Sequence, residues 1–380
     1  MDQPKRMISL DVFRGLTIAA MILVNDPGTW DKVYAPFRHA SWNGCTFTDW
    51  IFPFFLWMVG MSMTISFARR IQRGVGKGTL ILHLVKRSML LFVLGVFLSN
   101  IPFGLFGGSA FSWATLRIPG VLQRIGVCCL FAGLIVLYTK NRGLWIWIGA
   151  LLAGYAAAMK FIPVPGFGAG VLEPMGNLAG YIDSRLLAGH TYMWAPAKGF
   201  DPEGILSTIP AIATTLLGVV YGNSLRMNRS HEEKTARMAV SGIVLLALGT
   251  VIGVWFPLNK NLWSPSYTLY TAGMAAMVFS VLYWIIEVRG RTGWGKPFVV
   301  LGSNAITVYT FADLLSVVLW NIPGGSVNGN AVSLHDSLFQ KAFLSWLNPI
   351  NASLAFAVVF VLVSLGFAWI LYWRKWFIKL

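Results

Sequence analysis

Long apolar runs decide what this chain can fold into. Stretches such as VSGIVLLALGTVIGVWF (240–256) and SLAFAVVFVLVSLGFAWILYW (353–373) recur from end to end. A hydrocarbon core of ~30 Å is crossed by about 20 apolar residues in a helix. Such segments fall near 8–26, 47–68, 80–100, 118–139, 143–160, 205–225, 236–256, 267–287, 298–320 and 351–373. Only 12% of residues are charged, against about 25% in an ordinary globular domain. The expected fold is therefore an all-α polytopic membrane protein of about ten transmembrane helices, a single domain over 1–380. The basic start is not a removable signal, because Asp11 and Arg14 interrupt the apolar stretch and no A-x-A site follows. It reads as a retained first span.

Ten spans put both termini on one side, and charge selects which. With the termini cytoplasmic, 20 Lys and Arg fall inside, among them Lys5, Arg6 and Lys379, and 8 fall outside. The positive-inside rule thus orients the chain and absorbs most of the net charge of +16. No nucleic-acid partner is needed to explain that charge; the partner implied is the lipid bilayer. The loop RRIQRGVGKG (69–78) is not a phosphate loop, since Ile71 and Gly78 stand where a Walker motif needs Gly and Ser or Thr. Cys45, Cys128 and Cys129 have no metal-ligand spacing. His39, His190 and His335 lie in outer loops but about 150 residues apart, so no metal site is expected.

Polar residues inside such a chain are costly and each needs a partner or a job. Asp11 and Arg14 are three apart and suit a helical ion pair near the inner interface, where Arg14 could also face an entering anion. Asn25 lies eleven residues beyond Arg14, roughly 16 Å further along a helix. Asp49 opens the second span, Gln123 and Arg124 lie early in the fourth, and His39 sits in the loop FRHASWNGCTFTD between the first two. These groups share one depth at the outer mouth. Plain structural roles compete: Asp49 as a helix cap, Arg124 as its counter-charge, and Asn304 and Asp313 as interhelical hydrogen bonds. No internal repeat argues for the inverted symmetry of many transporters.

The strings SLDVFRGLTIAAMILVN, FRHASWNGCTFTDWIFPFFLWMVG, RIPGVLQRIGV, GYIDSRLL, FDPEGILSTIPAI, PLNKNLWSPSYTL and GSNAITVY resemble, in order, the heparan-α-glucosaminide N-acetyltransferase family. The resemblance implies a transmembrane N-acetyltransferase. It would take acetyl from cytosolic acetyl-CoA, as co-substrate, to the amino group of glucosamine or a terminal glucosaminide on the outer side. It maps the catalytic histidine onto His39, an essential asparagine onto Asn25 and a following aspartate onto Asp49. It also suggests a homodimer. As a bacterial relative, the protein is expected in the inner membrane with its site toward the periplasm. Two departures stand out: the chain begins directly at the core, and DPGTWDKVYAPFR separates Asn25 from His39.

The chemistry that fits is attack by an unprotonated amine on a thioester. His39 would serve as general base or acetyl carrier, Asp49 would orient it, and Asn25 would donate to the developing oxyanion. Arg14, Arg124 and Asn304 are the candidates for holding coenzyme A. Trp42, Asn43, Asp201, Glu203 and Lys260 are the candidates for the acceptor, the two acids toward its ammonium and the indole toward a sugar ring. An envelope-polysaccharide O-acetyltransferase and a sugar transporter are the alternatives.

Overall fold

The structure, a computed structural model, describes residues 7–101, 112–327 and 329–378. Lys5, Arg6 and Lys379, counted above as inner charges, lie outside the described residues, as does most of the 101–117 loop. Thirteen α-helices are described: α1 (Ile8–Asn25), α2 (Phe47–Gln72), α3 (Lys77–Asn100), α4 (Val121–Tyr138), α5 (Asn141–Phe161), α6 (Leu178–Leu186), α7 (Thr208–Leu225), α8 (His231–Ile252), α9 (Pro265–Tyr283), α10 (Lys296–Ser303), α11 (Ala305–Asn321), α12 (Leu334–Phe339) and α13 (Pro349–Trp373). A two-stranded antiparallel hairpin, β1 (Pro323–Val327) with β2 (Asn330–Ser333), is the sheet among these residues.

Nine of the helices are long and apolar enough to cross a membrane, and α10 with α11, bent by 73°, makes ten when the pair is taken as one broken span. Every segment expected from the sequence is helical. The bend falls at Asn304, whose φ of −128° and ψ of 40° leave the helical region. Asn304 Nδ2 donates to Trp376 O (3.0 Å) and its Oδ1 accepts from Ile378 N (2.9 Å). Thus the break is held by the chain after α13.

Apolar faces of α3, α5, α8 and α13 stay exposed, including Met89, Val93, Ile146, Val244, Val251, Leu362 and Ile370. In water such faces would be anomalous; in lipid they are the expected outer surface, and helices satisfy their own backbone there. Inside, α1 separates two cores. Leu10, Val12 and Phe13 pack with residues of α2 to α5 and α7 to α9, whereas Ile18, Met21 and Ile22 pack with α10, α11 and α13.

Small residues bring helix backbones together where lipid offers no hydrophobic drive. A Cβ on Gly60 of α2 would lie 1.9 Å from Thr215 O, and one on Gly218 of α7 would lie 1.9 Å from Trp57 O. Likewise, a Cβ on Gly15 of α1 would meet Phe298 O of α10 at 1.8 Å. Because successive spans alternate in direction, the loop residues 26–46, 112–120, 162–207, 253–264, 322–327 and 329–348 gather at one end, and the short basic loops at the other.

Candidate active site

The start of α2 builds the site. Thr46 precedes the helix and Asp49 lies three residues on, the spacing at which an acidic side chain reaches back over the first turn. Asp49 Oδ2 accepts from Thr46 N (2.9 Å), Thr46 Oγ1 (3.0 Å) and Ala40 N (3.1 Å). Its Oδ1 lies 2.7 Å from His39 Nδ1. The cap and the histidine partner, rival readings from sequence, therefore coexist on two oxygens of one carboxylate. A carboxylate only accepts, so this pairing selects the tautomer with Nδ1–H and leaves the Nε2 lone pair as base. Asp49 is sealed at 1% side-chain exposure, whereas His39 is 46% exposed and open to a ligand. Tyr267 of α9 donates its hydroxyl to the Asp49 carbonyl.

A second loop closes over the first. Gly44 N donates to Leu258 O (2.7 Å), and Asn259 Nδ2 donates to Asn43 Oδ1 (3.1 Å) while Asn259 Oδ1 accepts from Leu262 N (2.8 Å). Trp263 holds a φ of 50°, rare for a bulky residue. It is buried with Nε1 on Thr214 Oγ1 (3.0 Å) and its ring edge-on to Phe52. This anchored turn places Lys260 Nζ 3.2 Å from His39 Nδ1 and 3.1 Å from Nε2. Nearly equal separations put the ammonium across the ring, not in line with either lone pair. Burial holds the Lys260 ammonium below its usual pKa, against the pull of Asp49 and Glu203. Burial, with Asp49 next to it, also pushes the Cys45 thiol up to about 12, which keeps it protonated beside the site.

The other expected residues fall in three places. Trp42 is buried, with Nε1 on Leu172 O (2.9 Å) and its ring against Phe200 at 5.6 Å, so the indole serves the loop core rather than lying open. Asp201 and Glu203 both face Arg117: Arg117 Nε and Nη2 reach Asp201 at 3.0 and 2.8 Å, and Nη2 reaches Glu203 at 2.7 Å. Asp201 is fully buried and also accepts from Tyr192 N (2.8 Å). Asp183 of α6 holds the same turn through Ile205 N (2.9 Å) and Asp201 N (3.3 Å), and burial lifts its carboxyl to about 6. Arg124 is buried with Nη2 on Gly204 O (3.1 Å) and Ser207 Oγ, its guanidinium 5.1 Å from the Trp263 ring centre, while its Nε and Nη1 lack hydrogen-bond partners. Arg14 bonds Asp11 (3.1 Å), Ser62 Oγ (3.0 Å) and, more weakly, Gly302 O (3.4 Å). Arg14 and Asn304 thus meet around the α10–α11 break, and Arg124 lies toward the opposite end of the bundle.

Asn25 ends α1 and is exposed. Among the described hydrogen bonds none joins it to His39 or Asp49. The chain after it turns instead to α13, with Gly28 N on Ser353 O (3.2 Å) and Thr29 N on Ser353 Oγ (3.1 Å).

With this geometry in place, comparison with known proteins is decisive. Residues 6–255 match the family described as heparan-alpha-glucosaminide N-acetyltransferase, catalytic. The human heparan-alpha-glucosaminide N-acetyltransferase is 33% identical over 356 residues, covering 80% of this chain and 52% of its own length. The chain belongs to this family. The mouse protein of the same name is 32% identical over 359 residues, covering 82% of this chain and 54% of its own. The chain therefore spans about half the length of these relatives.

In this family member the histidine loop falls inside the matched region and the Lys260 loop lies beyond it. Sequence reasoning missed Tyr267, Thr46, Asn259 and the role of Arg117. Thr46 carried a usable signal, a Thr three residues before Asp49 at a helix start. The Arg117 lock carried a fainter one, the single arginine of the 101–117 loop and the acid pair of DPEG. Tyr267 and Asn259 carried none, because their partners lie over 200 residues away in the chain.

Proposed function

We propose that the protein moves an acetyl group from acetyl-CoA, supplied from the basic, cytoplasmic end, to the amino group of glucosamine or a terminal glucosaminide at the loop-rich, periplasmic end of the inner membrane. The observation that carries this reading is the His39–Asp49 pair, an exposed imidazole whose Nδ1 is fixed by a buried carboxylate. The acceptor nitrogen attacks the thioester carbonyl, forming the C–N bond and an oxyanion. His39 Nε2 takes the N–H proton, the C–S bond then breaks, and the leaving thiolate receives a proton. General-base help of this kind is worth about 10²–10⁴ in rate. Lys260 sits where its ammonium can face the oxyanion and disfavour a protonated acceptor. The Asn25 role rests on the family resemblance.

Coenzyme A would hold its phosphates near Arg14 and the α10–α11 break, with its arm running toward His39. A small apolar cavity lined by Ile18, Phe55, Leu122, Ile306 and Tyr309 lies between α1, α2, α4 and α11, and the arm would have to widen it to pass. With Asp201 and Glu203 committed to Arg117, acceptor contacts fall to Asn43, Lys260 and the loop backbone. The test is to incubate the purified protein with acetyl-CoA and glucosamine while following free thiol and N-acetylglucosamine. Wild type should release both and His39→Ala should release neither. No transfer to any amino sugar would overturn the reading, an ester product would make it an O-acetyltransferase, and full activity of His39→Ala would remove the mechanism.

A further inference from the structure

A second concavity lies away from the His39 site, between α5, α7 and α8 at the basic end, with a volume of about 810 Å³. Its polar groups collect at one end. Asn223 of α7 donates to Asn141 of α5 (2.8 Å), and Arg237 Nε donates to Glu233 of α8 (3.0 Å). Further along, the lining is apolar: Trp145 on one wall, Val220 on the floor, and Val240, Val244 and Leu248 on the other wall. From Glu233 to Leu248 the α8 wall runs about 22 Å at ~1.5 Å per residue. Half of a ~30 Å hydrocarbon core plus its headgroup layer has that depth. So the groove has the length and polarity of one amphiphile from one leaflet.

Charge settles the sign of the head. Arg237 lines the polar end, Arg229 reaches its Glu233, and Lys140, Arg142, Arg226 and Lys234 are close sequence neighbours of the lining residues Asn141, Met227 and Glu233, against the acids Glu232 and Glu233. Glu233 is already bonded by both Arg229 and Arg237. Arg237 keeps 56% of its side chain exposed and so has donors to offer. A zwitterionic lipid would draw no net benefit from this surplus, and an apolar face of a second copy would leave the polar end unmatched.

We propose that this groove binds one anionic phospholipid from the leaflet at the basic end. Its phosphate lies on Arg237 and the neighbouring bases, and an acyl chain lies along Trp145, Val244 and Leu248. The binding site is independent of the acetyl-transfer chemistry.

Native mass spectrometry of the detergent-purified full chain, titrated with phosphatidylglycerol or phosphatidylcholine, tests this directly. Wild type should retain one phosphatidylglycerol in preference to phosphatidylcholine. Arg237→Gln should weaken that retention about fivefold, the effect of one basic side chain near a lipid surface. Val244→Trp keeps the charges but fills the groove, and should also lower retention. Lys198→Gln, at the far end, should change nothing, and the elution volume of each variant reports folding. Equal retention of the two lipids, or undiminished retention in both Arg237→Gln and Val244→Trp, would overturn the proposal. A lipid-free dimer broken by Val244→Trp would overturn it too, by assigning the groove to a second copy of the chain.

Discussion

Asp49 holds a helix start with one oxygen and a histidine with the other, and the two jobs separate by substitution. Asp49→Asn keeps an acceptor for Thr46 but removes the carboxylate that selects Nδ1–H on His39. Acetyl transfer should fall by about 10²–10⁴, the range of the proton-transfer step, with little change in melting temperature. Asp49→Ala should lose the cap as well, about 1 kcal/mol, and the thermal shift between the two variants measures it. Asp26, next to Asn25, gives a pH-linked counterpart. Burial, with Asp313 adding to it and a Ser316 hydrogen bond opposing, lifts its carboxyl from 3.8 to about 7. A raised carboxyl penalises the folded state progressively as pH rises from the unfolded value to the folded one, and fully above it. Asp26→Asn should therefore raise the melting temperature more at pH 8 than at pH 5; an equal gain at both would argue against a buried charge. The histidine and its aspartate were legible in the sequence because they lie only ten residues apart, across one loop and the first turn of α2. Lys260 was legible only as an acceptor contact, since its place across the His39 ring depends on two loops 221 residues apart. Trp42 read as an open ring because nothing local reveals Phe200 behind it.

At the scale of elements, the spans were legible because bilayer thickness sets their length and lipid sets their composition. The break at Asn304 was not, since PFVVLGSNAITVYTF (297–311) reads as one unbroken apolar run. What bends it is Asn304 bonding to residues 376 and 378, which no local pattern reports. The close approach of α2 and α7 at Gly60 and Gly218 makes a sharper statement. Gly218→Leu would drive a side chain into the Trp57 carbonyl, which lies 1.9 Å from a Cβ there. Backbone must move to admit it, so the cost should exceed the 1–3 kcal/mol typical of overpacking. Reduced yield of monodisperse protein and a lower melting temperature are the expected readouts. Gly149, with nothing near its Cβ, is the control, and Gly149→Leu should be silent.

For the whole molecule, the basic excess and the alternating spans predict an orientation of the bundle, with the short basic loops cytoplasmic. Cysteines introduced singly at Lys198 and at Arg73, in a background lacking Cys45, should report it. A membrane-impermeant maleimide should label the first in intact cells and the second only after lysis. The reverse pattern would invert the bundle and move the His39 site to the cytoplasm. The glycine contacts carry a wider consequence. Because α2 is seated backbone to backbone on α7, and α1 on α10, the histidine station stands on a fixed post. A carrier that exposes one pocket first to one side and then to the other must let such pairs slide. On the proposed reaction a scaffold seated this closely leaves the acetyl group, on the long arm of its thioester, to make the journey.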